Sequence, residues 1–172
     1  ARYVKNYGEG RLAGVVFAAA ITPALCITAD NPDGAMGLEG FMDLRQQCRA
    51  DRDAFLPQFL TWFFSNPSEL AVTRAQFEDA LAMAAQASDT ALQDCIVAWA
   101  TDLRDGVKKV GVPALVIHGN ADNNVPFEAS GARTAQMIPG AQLAEIDHGP
   151  HGINVSHAGE FNAALLSFLM TL

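Results

Sequence analysis

Two loops of the chain carry the side chains whose types and spacing best suit chemistry. The stretch HGNADNNVP, residues 118–126, holds a single acid, Asp122, just after an apolar run. The stretch DHGPHGINVSH, residues 147–157, carries three histidines: His148, His151 and His157. A histidine can take a proton from a nucleophile, and a carboxylate can orient that histidine. The residues therefore predict an acid and a base in one site, and they leave open which histidine is the base.

Apolar runs predict three strands that would position these loops. LAGVVFAAA, residues 12–20, and ALVIH, residues 114–118, suit strands covered on both faces. AQLAEI, residues 141–146, is a weaker third strand. Loops at the carboxyl ends of parallel strands converge, so Asp122 and the histidines would meet at one edge of the sheet.

Helical patterns alternate with these strands. ARYVKNYGEG has the pattern of the last turns of a helix that stops at Gly8. PFEASGARTAQMIPG, residues 126–140, begins at a proline suited to a first helical turn. SHAGEFNAALLSFLM, residues 156–170, places four apolar side chains on one helical face: Phe161, Leu165, Phe168 and Leu169. The alternation predicts an α/β fold with a parallel sheet and crossover helices.

The middle of the chain, residues 37–108, has little strand pattern. FLPQFLTWFF, TRAQFEDALAMAAQ and ALQDCIVAWATDL are typical of short helices. We therefore expect a helical insertion at 37–108, with residues 1–36 and 109–172 forming the core. The aromatic residues of TWFF and Trp99 would either line a pocket or form ordinary core.

Composition limits the partners of the chain. With 172 residues, half of them hydrophobic, it is long enough for one domain with a core. No apolar run reaches the roughly 18 residues typical of a membrane span. A formal net charge of -8 disfavours nucleic acid and anionic membrane surfaces, which require clustered lysine and arginine. Small or uncharged partners fit better.

The cysteines and histidines also allow other chemistry. Three cysteines, Cys26, Cys48 and Cys95, form no CxxC pair, so we expect buried thiols, with one disulfide left open. Cys26 has no glycine elbow of the kind that presents a nucleophile. The three loop histidines and Asp147 could bind zinc or iron, but a Gly/Pro loop does not hold the two rings of an HxxH pair on one helical face. A metal site is therefore disfavoured.

Two long stretches resemble a known family. VPALVIHGNADNNVPFEASGARTAQMIPGAQLAEIDHGPHGINVSHAGEFNAALLSFL is similar to the C-terminal end of α/β-hydrolases of the cofactor-free haloperoxidase, perhydrolase and esterase group. ARYVKNYGEGRLAGVVFAAAITPAL resembles the part of those enzymes that follows the nucleophile. The resemblance implies an α/β-hydrolase fold, mostly parallel sheet, with residues 37–108 as a helical cap.

The resemblance also selects residues within the two loops. The family's acid lies three residues after the glycine of an HG pair, which implies Asp122, after Gly119. An aspartate in such a loop is otherwise usually a turn former. The family's base precedes a glycine in a PHG sequence, which implies His151. Asn120 occupies the place of a second acid found in many members. His118 is expected to pack at the strand end, and His148 and His157 to lie at the surface or behind the site.

The family's nucleophile is a serine in a G-x-S-x-G turn. None of the six serines has that context: Ser65, Ser68, Ser88, Ser130, Ser156 and Ser167. We therefore expect the nucleophile turn, the oxyanion hole and the early strands to lie N-terminal to Ala1. The apolar strand at 12–20 would then gain the neighbour that an exposed edge lacks.

The resemblance implies a serine hydrolase, a carboxylesterase with perhydrolase or haloperoxidase activity, that needs no cofactor and no metal. Its substrates would be small esters or carboxylic acids, with hydrogen peroxide as a further reactant. Its partner would be a complementary N-terminal hydrolase segment, without which the chain would be inactive. The alternative is a non-catalytic C-terminal fragment that acts only by associating with such a segment. A homo-oligomer and a cytoplasmic location are further expectations.

Overall fold

The fold is built on a parallel sheet of three strands, as the sequence predicts. The structure, a computed structural model, describes residues 1–172. The strands are β1 (Val15–Ala18), β2 (Ala114–Gly119) and β3 (Gln142–Ile146), in the order β1-β2-β3, and all are parallel. β1 is shorter than the predicted run 12–20, because Ala19 adopts a positive φ of 42° that ends the extended backbone.

The central strand β2 is buried at every residue. Its successive side chains point to opposite faces of the sheet, so it contributes to two cores. On one face Ala114 and Val116 pack in a cluster with Val4 and Phe17. On the other face a second cluster comprises Leu115, Ile117, Ile146, Ile153 and Phe168. This two-sided burial explains why β2 is a continuous apolar run rather than an alternating one.

Nine α-helices accompany the sheet. They are α1 (Arg2–Tyr7), α2 (Leu38–Ala50), α3 (Arg52–Phe64), α4 (Arg74–Ala84), α5 (Asp89–Ala98), α6 (Arg104–Val107), α7 (Gly131–Met137), α8 (Ile153–Ser156) and α9 (Ala158–Leu169). α1 ends at Gly8, whose φ of 73° favours glycine. No helix of the chain has both the length and the apolar character needed to cross a membrane.

The region from α2 to α6 contains no strand, in agreement with the predicted helical insertion. Local capping defines its helices: the Asp51 carboxylate accepts from Ala54 N–H, and Thr73 forms a capping box with Gln76. α5 ends at Ala98, earlier than the predicted segment 91–103. The division of the chain into a core and a cap stays a prediction.

Two expectations for single elements are wrong, those for the segment 126–140 and for Cys95. The segment 126–140 is not one helix: a 3₁₀ turn at Phe127–Ala129 precedes α7, because Ser130 leaves helical geometry with φ -136° and ψ -83°. α9 carries the four apolar side chains predicted for one helical face, of which Phe168 is buried and Leu169 is 48% exposed. Cys26 and Cys48 are buried free thiols, whereas Cys95 is exposed on α5.

β1 has a partner on one side only. Val15 N–H donates to Pro113 O, Ala19 N–H donates to Ile117 O, and the ladder between them pairs β1 with β2. Because peptide groups alternate in direction along a strand, the N–H groups of Val16 and Ala18 point away from β2. A cavity of about 660 Å³ lies along this side of β1.

Candidate active site

Asp122 and His151 lie in contact at the carboxyl end of the sheet. The ring Nδ1 of His151 is 2.7 Å from Asp122 Oδ2. The Asp122 side chain is fully buried, whereas that of His151 is 18% exposed. Among the protein atoms Nε2 of His151 has no hydrogen-bond partner. An acid therefore binds one side of the imidazole, and the other side is free to exchange a proton.

The loop after β2 is shaped around the Asp122 carboxylate. Oδ1 accepts from the N–H groups of Asn124, at 2.9 Å, and Val125, at 2.8 Å. This is the turn-forming role that an aspartate in such a loop usually has. The carboxylate thus stabilises the turn through Oδ1 and contacts His151 through Oδ2. The turn-forming role of Asp122 is observed, and its catalytic role stays a prediction.

The pKa of Asp122 reflects opposing effects. Burial raises the pKa of the carboxyl, but hydrogen bonds from His118 and His151, the positive charge of His151 and the Val125 N–H together outweigh it. The net result is a pKa below the ordinary range for aspartate. Asp122 is therefore ionised at neutral pH and suits the orientation of an imidazole rather than the delivery of a proton.

Backbone contacts bring the two loops together. Asn120 N–H donates to Ile146 O at 3.0 Å, and Ala121 N–H donates to Gly149 O at 3.1 Å. A Cβ at Gly119 would collide with the Gly149 carbonyl, so the close approach requires glycine.

The side chain of Asn120 connects the loop after β2 to the end of β3 and the loop that follows it. Its Nδ2 donates to Glu145 Oε1 and Asp147 Oδ1, and its Oδ1 accepts from His148 N–H. The hydrogen bond from Asn120 is the main cause of a lowered pKa at Asp147. The sequence identified Asn120 only as the replacement of an acid, because its partners come from β3 and the loop beyond it.

α3 of the insertion positions the loop that carries His151. The Phe63 ring packs edge-on against the imidazole, with centroids 4.7 Å apart and planes at 81°. Gly152 N–H donates to Phe63 O at 2.9 Å. A Cβ at Gly152 would collide with the ring of Phe64. The PHG sequence thus has a glycine at residue 152 because α3 leaves no room for a side chain there.

His151 borders a cavity of about 760 Å³ between the sheet edge and the insertion. Its lining is mostly apolar: Ile21, Leu25, Met36, Phe41, Leu44, Phe59, Trp62, Phe63, Trp99 and Val125. Asn123, Asn124 and His151 supply its polar groups. Of the aromatic residues for which the sequence left two roles open, Trp62, Phe63 and Trp99 line this cavity, whereas Phe64 is buried in the core. Phe59 and Trp99 also stack on each other.

The other histidines take different places. His118 is fully buried at the end of β2, with Nε2 3.1 Å from Asp122 Oδ2. His148 is 80% exposed and 3.6 Å from Asp147. His157 pairs with Ser156 Oγ at 2.9 Å. The structure thus brings Asp122 together with His151 and His118, and it places His148 and His157 elsewhere.

The serines give His151 no hydroxyl partner. Ser130 donates to Pro126 O, and Ser156 contacts Gly152 O and His157, so both hydroxyls are engaged away from the free Nε2. No group of three or more His, Cys, Asp or Glu side chains is close enough to hold a metal ion.

The chain is similar to proteins of one enzyme group. It is 35% identical to a non-heme chloroperoxidase from Kitasatospora aureofaciens and 32% identical to a bifunctional esterase/perhydrolase from Acinetobacter calcoaceticus. Each match covers 98% of this chain and 62% of the relative, so the chain spans about three fifths of the length of these relatives. No protein-family model matches the chain.

Solved structures show the same relationship. The structure of a bromoperoxidase from Bacillus anthracis matches with a TM-score of 0.94 at 40% identity, over 98% of this chain and 62% of that one. An esterase from Exiguobacterium antarcticum matches with a TM-score of 0.88 at 25% identity, over 98% of this chain and 61% of that one. The chain belongs to the α/β-hydrolase superfamily, and the relatives that it matches are non-heme haloperoxidases, perhydrolases and esterases.

Proposed function

We propose that the chain supplies the base and the acid of a Ser-Asp-His triad in an ester hydrolase. The observation that carries this proposal is the 2.7 Å contact between His151 Nδ1 and Asp122 Oδ2, with Nε2 free beside an apolar cavity. His151 is the general base and Asp122 the carboxylate that fixes its tautomer and stabilises its cation.

The reaction follows from this arrangement. His151 Nε2 takes the proton of a serine hydroxyl while the serine oxygen attacks the ester carbonyl. The tetrahedral intermediate collapses, and the departing alkoxide takes the proton from Nε2 and leaves as an alcohol. The acyl group is then transferred to water, whose proton passes to Nε2 and back to the serine, releasing the carboxylic acid. Hydrogen peroxide in place of water would release a peracid.

The serine is proposed to come from a segment N-terminal to Ala1. Three observations support this. The serine hydroxyls of the chain do not pair with His151, β1 has a free edge along a cavity of about 660 Å³, and the chain spans 62% of its relatives. A preceding segment that adds strands at the free edge of β1 would bring its strand ends to the same side of the sheet as Asp122 and His151.

The cavity supports esters with apolar groups as substrates. Ten of its thirteen lining residues are hydrophobic, and the other three are Asn123, Asn124 and His151. Transfer of apolar surface from water into such a cavity favours binding, whereas a charged group there would lose hydration without a partner. The perhydrolase and chloroperoxidase among the relatives support peroxide as a second acceptor of the acyl group.

The test is active-site labelling followed by intact-mass spectrometry. A fluorophosphonate reacts with a serine only when a base activates it. We expect one label, on a polypeptide segment N-terminal to Ala1, and its loss in His151→Ala. His148→Ala is the matched control, because His148 is exposed and does not contact Asp122. Hydrolysis of an apolar ester should fall by about 10² to 10⁴-fold in His151→Ala.

The outcomes separate the two functions considered. A label lost in His151→Ala and kept in His148→Ala supports the hydrolase. An unlabelled protein, or equal labelling of both variants, contradicts it. An unlabelled chain that still binds a complementary N-terminal segment would instead support the non-catalytic associating fragment.

A further inference from the structure

A second histidine contacts the carboxylate that binds His151. His118, near the end of β2, has its side chain fully buried. Its Nε2 lies 2.8 Å from the Val125 carbonyl oxygen and 3.1 Å from Asp122 Oδ2. Asp122 Oδ2 therefore lies between two imidazoles, one from the sheet and one from the loop after β3.

The contacts of His118 fix its tautomer. A carbonyl oxygen can only accept a hydrogen bond, so Nε2 must carry the proton and donate it to Val125 O. Oδ2 of Asp122 is a second, weaker acceptor of the same N–H. On the other side of the ring, Nδ1 has no hydrogen-bond partner. It abuts Gly131, where a Cβ would lie 2.7 Å away. The glycine at the start of α7 thus makes room for the imidazole.

The hydrogen bonds of His118, Val125 and Asp122 form a closed ring. Val125 donates its N–H to Asp122 Oδ1 at 2.8 Å, and its carbonyl accepts from His118. The loop from Asp122 to Val125 is therefore attached to β2 at both ends. With Oδ1 held by backbone N–H groups, the contact to Oδ2 sets the rotation of the carboxylate and turns Oδ2 toward His151.

We propose that His118 is a positioning residue, which holds the Asp122 loop so that Oδ2 faces His151 Nδ1. His118 contacts neither the cavity nor the free Nε2 of His151, so it acts through Asp122 alone. The titratable groups that face Asp122 are His118 and His151, and the Phe127 ring and Gly131 enclose the rest of the His118 ring. The expected effect of His118 on turnover rests on the proposed function, whereas its expected effect on the tautomer of His151 does not.

Two variants of His118 separate a hydrogen-bonding role from packing. His118→Gln keeps a nitrogen donor at a similar distance from the backbone, in an amide group that has two N–H bonds and one acceptor oxygen. His118→Leu keeps the apolar packing and removes the donor. The readout is the tautomer of neutral His151, measured by long-range ¹H–¹⁵N correlation. We expect the Nδ1–H form in the unchanged protein and in His118→Gln, and a shift toward the Nε2–H form in His118→Leu.

A third variant tests whether the effect passes through Asp122. In an Asp122→Asn background, His118→Leu should not change the His151 tautomer further, because the carboxylate that couples the rings is absent. If His118→Leu does not fold, His118→Met gives the same comparison with a more adaptable apolar side chain. Unchanged His151 tautomers in the folded leucine or methionine variant would overturn the proposal, as would a protein whose own His151 lacks the Nδ1–H form.

Kinetics then connect the positioning role to the proposed hydrolase. Loss of one hydrogen bond to a charged group should lower kcat by about ten-fold or more in His118→Leu, with KM unchanged. His118→Gln should retain most of the activity. A protein without esterase activity would refute the proposed function, yet the tautomer measurement would still decide the role of His118.

Discussion

At the scale of single residues, Asp122 combines burial with a full set of donors. Both its oxygens are engaged, Oδ1 by two backbone N–H groups and Oδ2 by His151 and His118. An ionised carboxylate without these donors would be costly in such a place. The hydrogen bonds therefore stabilise the folded loop most when the Asp122 carboxylate is ionised.

This dependence predicts a pH effect on stability. The pKa of Asp122 is lower in the folded protein than its ordinary value, which is about 3.9 in unfolded chains. The stabilisation by the carboxylate is thus fully present above about pH 4 and is lost as pH falls through the lower folded pKa. We expect the free energy of unfolding to fall with acidification below about pH 4, and this fall to be smaller in Asp122→Asn.

Urea denaturation at a series of pH values measures this difference. Asp79→Asn is the control, because Asp79 is exposed on α4. If Asp122→Asn and Asp79→Asn lose stability with acidification along the same curve, the hydrogen bonds at Asp122 do not stabilise its charged form.

The sequence predicts some of these residues and misses others for a physical reason. Asp122 and His151 stand in short motifs, HGNAD and PHG, whose spacing alone identifies them once a family is recognised. Without the family resemblance, spacing does not show which of His148, His151 and His157 is the base. The contact of His118 with Asp122 has no sequence signal, because a histidine at the end of an apolar run is typical of a strand.

At the scale of elements, the number and parallel direction of the strands are well predicted, whereas the ends of β1 and of several helices are not. β2 and β3 lie within a residue of their predicted bounds, since burial on both faces gives β2 a continuous apolar run. The break at Ser130 accompanies hydrogen bonds from its hydroxyl to the carbonyls of Val125 and Pro126, which hydrophobic periodicity does not encode. The packing of Phe63 on His151 likewise joins residues far apart in the chain.

The contact between the two loops predicts the effect of added side chains. Gly119→Ala should place its Cβ against the Gly149 carbonyl and push apart the loops of Asp122 and His151. We expect a loss of about 1–3 kcal/mol in the free energy of unfolding, typical of overpacking. Gly159→Ala near the start of α9 is the matched control: nothing lies within 4 Å of its Cβ, so alanine should not lower the free energy of unfolding.

Urea denaturation and fluorophosphonate labelling of both variants measure the two consequences. Gly119→Ala should lose stability and labelling together, whereas Gly159→Ala should keep its labelling. A Gly119→Ala protein as stable as the unchanged one would show that the loops have room to separate, and that the glycine is not required for the approach.

At the scale of the whole molecule, the candidate site lies at the carboxyl end of a sheet whose edge strand β1 pairs on one side only. The loops of His151 and Asp122 follow β3 and β2, and β1 forms the other edge. In parallel sheets the next strand beyond β1 would deliver its own loop to the same carboxyl end. A segment that pairs with the free edge of β1 would therefore also carry a loop to the end of the sheet where the free Nε2 of His151 lies.

This reasoning predicts the hydrogen exchange of single amides in β1. The N–H groups of Val15 and Ala19 are bonded to β2, whereas those of Val16 and Ala18 point outward by strand alternation. In the 172-residue chain we expect Val16 and Ala18 to exchange faster than Val15 and Ala19. In a protein that also carries a complementary N-terminal segment, pairing should slow Val16 and Ala18 by about ten-fold or more. Exchange at Val16 and Ala18 that such a segment does not slow would mean that it does not add a strand to β1, and the serine would have to reach His151 by another route.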